Sequence, residues 1–115
     1  MKQFQLEVIN HLRELGIRPH LRGYEYIKTA MNYLQEKPSA IHNVTKDLYA
    51  TVAVRHNTEP SGVERGIRHA LETCHTNFEV QKKVLGTNRE MGNSEFLATL
   101  NETIKIKMAS ARAEA

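Results

Sequence analysis

VTKDLYATVAVRHNTEPSGVERGIRHALETC, from Val44 to Cys74, is the stretch whose reading decides the fold. Its apolar residues recur at helical rather than strand spacing. Val44, Leu48, Val52 and Ala53 mark one face of a helix. That helix should start after Asn43 as N-cap and run to about His56. A short break at Asn57 and Thr58 follows. Pro60 then opens the next helix in its first turn, where a missing N–H does no harm. Val63, Ile67, Ala70, Leu71 and Cys74 form the expected buried stripe of this second helix. Two amphipathic helices joined by a turn of a few residues have the spacing of a helix-turn-helix unit.

The same periodicity extends outward in both directions. Upstream, Phe4, Val8, Leu12 and Leu15 form one stripe, closed by Gly16 as a glycine C-cap. Tyr24, Ile27, Met31 and Leu34 form another, which ends before Pro38. Downstream, Thr76 or Asn77 can cap a brief fifth helix through Val80 and Val84 to Gly86. Thr87 to Asn93 reads as a loop. Asn93 and Ser94 then cap a last helix with the stripe Phe96 (or Leu97), Leu100, Ile104 and Met108. Residues 109–115 are good helix sequence without apolar anchors and are expected to fray. The expectation is all-α: a single compact six-helix domain over residues 1–115, with a helix-turn-helix in its third and fourth helices.

Composition removes several function classes. A chain of 115 residues, 40% hydrophobic and 25% charged, builds one ordinary globular core. A doubly wound nucleotide-binding fold or a barrel needs more length. The single cysteine, Cys74, excludes an internal disulfide framework and any multi-cysteine zinc or iron–sulfur site. His69, Cys74 and His75 are close in sequence, but their spacings of five and six do not share one helical face. No metal and no cofactor is expected. There is no glycine-rich phosphate loop and no nucleophile with an evident base, so an enzyme is not expected either. The apolar runs are too short for a membrane span, and the N-terminus lacks the apolar core of a signal peptide. A cytoplasmic protein with no membrane partner is the expectation.

Charge leans towards polyanions. The formal net charge is +3 and the isoelectric point near 9.1. Residues 1–57 carry eight Lys or Arg against five Asp or Glu, whereas residues 58–115 carry eight of each. A basic face must therefore come from folding that brings selected residues together.

One such face is visible on the helix after Pro60. Ser61, Glu64, Arg65, Arg68 and Glu72 are joined by steps of three and four, opposite the buried stripe. The planar arginine fork matches guanine O6 and N7 together, and one such pair discriminates by roughly 1–3 kcal/mol. Glu64 can accept from cytosine N4 or hold Arg68 across one turn. The plainer reading of the same residues is a solvated face with a surface ion pair, or a Ser61–Glu64 capping box.

Four matched segments favour the first reading. SGVERGIRHALE, Ser61 to Glu72, resembles the recognition helix S-R-V-E-R-A-I-R-H-A-I-E of the sporulation response regulators of the stage zero sporulation protein A family. HLRGYEYIKTA, His20 to Ala30, is similar to H-I-K-G-Y-x-Y-L-R-E-A. VTKDLY, Val44 to Tyr49, is similar to I-T-K-x-L-Y. NSEFLA, Asn93 to Ala98, is similar to N-S-E-F-I-A. The likeness runs in order from about Val8 to about Lys107.

The resemblance implies the family's C-terminal effector domain, without its receiver domain. It also implies a sequence-specific, DNA-binding transcription regulator, activator or repressor, of sporulation initiation. Its recognition helix, about residues 60–76, would lie in the major groove of a box resembling TGTCGAA. The matching base-contacting positions are Glu64, Arg65 and Arg68, with Ser61 and His69 as secondary contacts. Arg22, Lys46 and Arg89 are the backbone-phosphate candidates, alongside Arg18 and His20 before the second helix. The partners implied are double-stranded DNA and RNA polymerase. The chain would be a monomer in solution and a tandem dimer on DNA, paired through Glu95, Thr99, Glu102 and Ile106 of the last helix.

Three departures from the pattern stand out. Gly62 occupies a position where the family has arginine, and Gly66 replaces alanine at about 1 kcal/mol of helix propensity. The segment after Gly86 is short and keeps Arg89 as its cation. Gly62, the short loop and the neutral second half support an alternative: a helical protein-interaction module that antagonises a full-length regulator or polymerase without strong DNA binding.

Overall fold

A computed structural model describes residues 2–74 and 78–114, and every regular element among them is helical. Helix α1 is Lys2–Glu14, α2 Arg22–Glu36, α3 Ala50–Arg55, α4 Pro60–Glu72, α5 Phe78–Leu85 and α6 Asn93–Glu114. The core is one cluster to which α1, α2, α3, α4 and α6 contribute. Leu12, Ile27, Met31, Leu34, Val52, Val63, Ile67, Leu97, Leu100 and Ile104 are all fully enclosed in it. Phe96 and Leu97 are both buried, so the last helix covers the core with a broader stripe than a single register requires. No helix among the described residues is long and apolar enough to cross a membrane.

The chain-reversing glycines act where the sequence places them. Gly16 adopts φ 76° after α1, and Gly86 adopts φ 79° after α5. Neither angle suits a side chain with a Cβ. Asn57, at φ 54°, turns the chain between α3 and α4. Thr58 N–H there bonds the Ala53 carbonyl at 2.9 Å, so the turn is tied to the helix it leaves.

The run into α3 departs from expectation. Pro38–His42 is a short 3-10 helix that the apolar pattern does not signal. Val44–Tyr49 is wound as a π-helix before tightening into α3. The Leu48 N–H accordingly reaches the Asn43 carbonyl, five residues back, at 3.4 Å. Asn43 precedes the helix as expected, but its side chain makes no capping bond. A polar lock holds this segment on α2. Tyr33 donates its hydroxyl to Asp47 at 2.6 Å, and Lys37 pairs with the other carboxylate oxygen at 2.7 Å. The bonds from Lys37 and then Tyr33 lower the Asp47 pKa below its ordinary value.

One capping expectation is corrected at α6. Asn93 is the first residue of α6, and the Gly92 carbonyl accepts the first helical bond, from Phe96. The Asn93 side chain is spent elsewhere, on α4. Helix α6 runs on to Glu114, its side chains from 109 to 113 exposed to solvent. Ala, Arg and Glu favour helix strongly enough to extend it without packing. Thr76 and Asn77, the expected caps of the fifth helix, lie outside the described residues.

Candidate nucleic-acid interface

Helix α4 is strongly two-faced. Val63, Ile67 and Ala70 are buried, while Ser61, Arg65, Arg68, His69 and Glu72 are exposed. Leu71 and Cys74, expected on the buried stripe, are only half-buried at its edge. The helix ends sooner than the expected 60–76. Thr73 caps it at Glu72, its N–H and hydroxyl both bonding the His69 carbonyl at 3.0 Å. A threonine hydroxyl that satisfies a terminal carbonyl in this way competes with continuation of the helix.

The capping-box reading of Ser61 and Glu64 does not hold. The N-cap position belongs to Glu59, whose side chain makes no capping bond, so Ser61 lies inside the first turn. Glu64 instead reaches along the helix to Arg68 at 3.5 Å, with both side chains well solvated. An exposed pair of this kind contributes well under 1 kcal/mol, so Arg68 is free to exchange Glu64 for another acceptor. Arg65 makes no ion pair among the described residues and stands clear on the outer face.

Three surroundings fix where this face sits. The first is α2, which makes the most extensive helix–helix contact in the molecule with α4. Gly23, in the first turn of α2, lies directly against Gly66. A Cβ on Gly23 would stand 2.0 Å from the Gly66 carbonyl oxygen. This contact seats the first turn of α2, whose first residue Arg22 is exposed, against α4. Leu21, the N-cap residue of α2, offers no side-chain acceptor to the first turn. Arg18 and His20 are exposed in the preceding loop.

The second is the segment before α3. Thr45 lines a groove together with Glu64, Arg68 and Glu72, and Lys46 is exposed next to it. The third is α6, where Asn93 donates to the Glu64 carbonyl at 2.9 Å. The buried Tyr49 hydroxyl also hydrogen-bonds with the Asn93 side chain. Burial raises the Tyr49 pKa, the Asn93 bond works against that rise, and the Glu64 charge adds to it. Tyr49, Asn93 and Glu64 thus tie three helical segments together behind the exposed arginines.

The remaining cation candidate is placed differently. Arg89 lies in the loop before α6, where its guanidinium forks onto both carboxylate oxygens of Glu95. Gln81 folds that loop back by donating to the carbonyls of Thr87 and Arg89. Arg89 would have to leave Glu95 to grip a phosphate. The same fork engages Glu95 of the proposed pairing face of α6, whereas Glu102 and Ile106 are exposed, Ile106 by 56%.

Sequence reasoning names Glu64, Arg65 and Arg68 but not what holds them. Gly23, Tyr26, Tyr49 and the Asn93 amide make contacts far apart in sequence, and helical periodicity carries no signal for them. Gly23 and Asn93 do lie in the matched segments, which was the available hint. Among the described residues, no group of three or more His, Cys, Asp or Glu is placed to hold a metal ion.

The family model described as sporulation initiation factor Spo0A C terminal matches residues 8–104. The chain belongs to this family of DNA-binding regulators of sporulation initiation.

Proposed function

We propose that this member of the family is a sequence-specific transcription regulator whose α3 and α4 act as a helix-turn-helix. In this reading α4 enters the major groove of a TGTCGAA-like box. Arg65 and Arg68 read guanines, and Glu64 accepts from a cytosine or aligns Arg68. Ser61 and His69, both exposed on the same face, make supporting contacts. Arg22 and Lys46 hold the phosphate backbone on either side, and Arg89 joins them on exchanging Glu95 for a phosphate. The observation that carries the reading is the exposed Arg65–Arg68 face of α4, on a helix packed through Gly66 against the first turn of α2, where Arg22 is exposed.

The chain is proposed to work in the cytoplasm as a monomer when free. Copies pair on adjacent boxes, where tethering gives the second contact a high effective concentration. Ile106, exposed on the outer side of α6, is the apolar centre of that pairing face, and RNA polymerase is the further partner.

The test is a titration of the box, a scrambled duplex and a two-box duplex at two salt concentrations. The box should be preferred, and its affinity should fall with salt as phosphate contacts are lost to counterions. The two-box duplex should fill cooperatively. Arg65→Ala and Arg68→Ala should each weaken box binding by roughly 1–3 kcal/mol and relax selectivity at one base pair. Both should leave stability nearly unchanged, because the side chains point outward. Arg22→Ala should weaken both single duplexes about equally, as a phosphate contact must. Equal wild-type affinity for box and scrambled DNA would remove sequence specificity. No binding to either at low salt would favour a protein-interaction module.

A further inference from the structure

We infer that Asp47 is a positioning residue for DNA binding: its bonds to α2 hold the π-wound segment Val44–Tyr49 in the winding that presents Lys46 to the phosphate backbone. This rests on the DNA-binding reading above and adds a determinant that touches no DNA. The family pattern I-T-K-x-L-Y keeps a lysine at position 46 and leaves position 47 open, so what fixes that lysine here is this chain's own. Thr45 and Lys46 are exposed, and Thr45 lines the groove with Glu64 and Arg68 of α4. Asp47, the next residue, turns to α2 instead, and its side chain is only 14% exposed. One carboxylate oxygen accepts from the Tyr33 hydroxyl at 2.6 Å, and the other meets the Lys37 ammonium at 2.7 Å.

The winding gives this lock a use. The Asn43 carbonyl accepts from the Asp47 N–H at 2.9 Å and from the Leu48 N–H at 3.4 Å, so the first turn is balanced between α and π bonding. The α form is the ordinary one. Tightening to it would turn Lys46 about the helix axis by up to roughly 100°, the angle of one residue. A carboxylate held from two directions opposes that rotation, because turning the segment pulls Asp47 off both partners. Tyr33 is itself held: the Arg55 guanidinium, at the end of α3, lies 5.4 Å from its ring centroid and pairs with Glu36 at 3.1 Å. The segment and α3 are thus clamped to α2 at both ends, and Lys46 keeps its exposed place next to the groove. Lys37 also neutralises the Asp47 charge, which would otherwise repel a phosphate held by the adjacent lysine.

Asp47→Ala and Tyr33→Phe, each alone and combined with Lys46→Ala, are titrated on box and scrambled duplexes at several salt concentrations, with folding followed by circular dichroism. By charge alone, loss of a carboxylate strengthens DNA binding; loss of the lock should do the reverse. Asp47→Ala should weaken both duplexes about fivefold, the scale of one phosphate contact, and flatten the salt slope by about one. Tyr33→Phe, which changes no charge and leaves Lys37 on Asp47, should give a smaller loss of the same kind. In the Lys46→Ala background neither substitution should weaken binding further. Affinity unchanged or raised in Asp47→Ala, where Lys46→Ala does weaken binding, overturns the inference. So does a loss that persists without Lys46 or that tracks the unfolded fraction, either of which marks a merely structural residue. If Asp47→Ala does not fold, Tyr33→Phe decides by the same criteria. Failure of the underlying reading looks different: the wild type would bind neither duplex, or Lys46→Ala would itself cost nothing, and the inference falls with it.

Discussion

The two flanks of α4 are built in opposite ways. Towards α2 it packs backbone against backbone, with a bare glycine on each helix and no room for one added carbon. Towards α5 and α6 it borders an open groove of about 900 Å³, lined by half-buried and polar side chains such as Leu71, Cys74, Met91 and Ser94. Across that opening the Asn93 amide reaches the Glu64 carbonyl. One flank is therefore held by steric exclusion, which is stiff and intolerant of volume. The other is held by directional polar contact beside solvent, which is weaker and more forgiving. A helix that must present side chains at a defined depth gains from this asymmetry. The tight flank sets its position, and the loose flank leaves its outer face accessible.

The sharpest way to break the contrast is to add one methyl to the tight flank. Gly23→Ala drives a Cβ into a carbonyl oxygen and a neighbouring methyl, neither of which can rotate away as the tip of a flexible side chain would. Overpacking with backbone displacement typically costs 1–3 kcal/mol, and this site should cost about 3 kcal/mol or more. Chemical denaturation should show a large fall in midpoint. A variant as stable as the wild type would mean that the two helices have slack at their crossing.

The tight flank also marks the boundary of what sequence discloses. The presence of α2 and α4, the buried Val63 and Ile67, and the outward Arg65 and Arg68 all follow from periodicity, because they depend on neighbours three and four residues away. Gly66 does not. Its local context makes it a propensity cost, and only the contact with Gly23, more than forty residues earlier, makes it a fit. The π-wound segment before α3 escapes for a related reason. Val44, Leu48 and Val52 satisfy a helical period, and one wider turn leaves that pattern unchanged. Asn93 bonds across to α4 rather than capping α6, because both uses draw on the same amide and the choice between them is tertiary. The family resemblance supplies the site residues that pattern alone leaves balanced against a solvated face.

A smaller effect is expected from cutting the polar tie across the groove. Asn93→Ala removes the donor to the Glu64 carbonyl and the partner of the buried Tyr49 hydroxyl. The carbonyl stays helically bonded, so the main loss is at Tyr49, and stability should fall by roughly 1–2 kcal/mol. Tyr49→Phe in the same background should recover part of it, because a hydroxyl without a partner is then no longer buried. A double-mutant cycle followed by denaturant unfolding measures the coupling. Strict additivity of the two substitutions would show that Asn93 and Tyr49 do not act as one tie.

The smallest effect should come from the open flank itself. Cys74→Ala removes a sulfur just past the end of α4, at a half-buried position lining the groove. Next to Gly23→Ala it is a change of similar size and opposite sign in volume, made on the other side of the same helix. Solvent already reaches this site, so removing the sulfur exposes little surface that was dry. No enclosed cavity forms, and the large cavity penalty of a sealed core does not arise. The stability change should be about 0.5 kcal/mol or less, within the range of ordinary surface substitutions. Box affinity should not change, because the site lies behind the exposed arginine face. Thermal unfolding of the variant, paired with the rate at which the wild-type thiol reacts with a small disulfide reagent, checks both halves of the argument. Reaction at near the rate of a free thiol together with a negligible stability loss would sharpen the contrast between the flanks. A loss above about 2 kcal/mol would mean that the groove is closed around Cys74 and that α4 is gripped tightly on both sides.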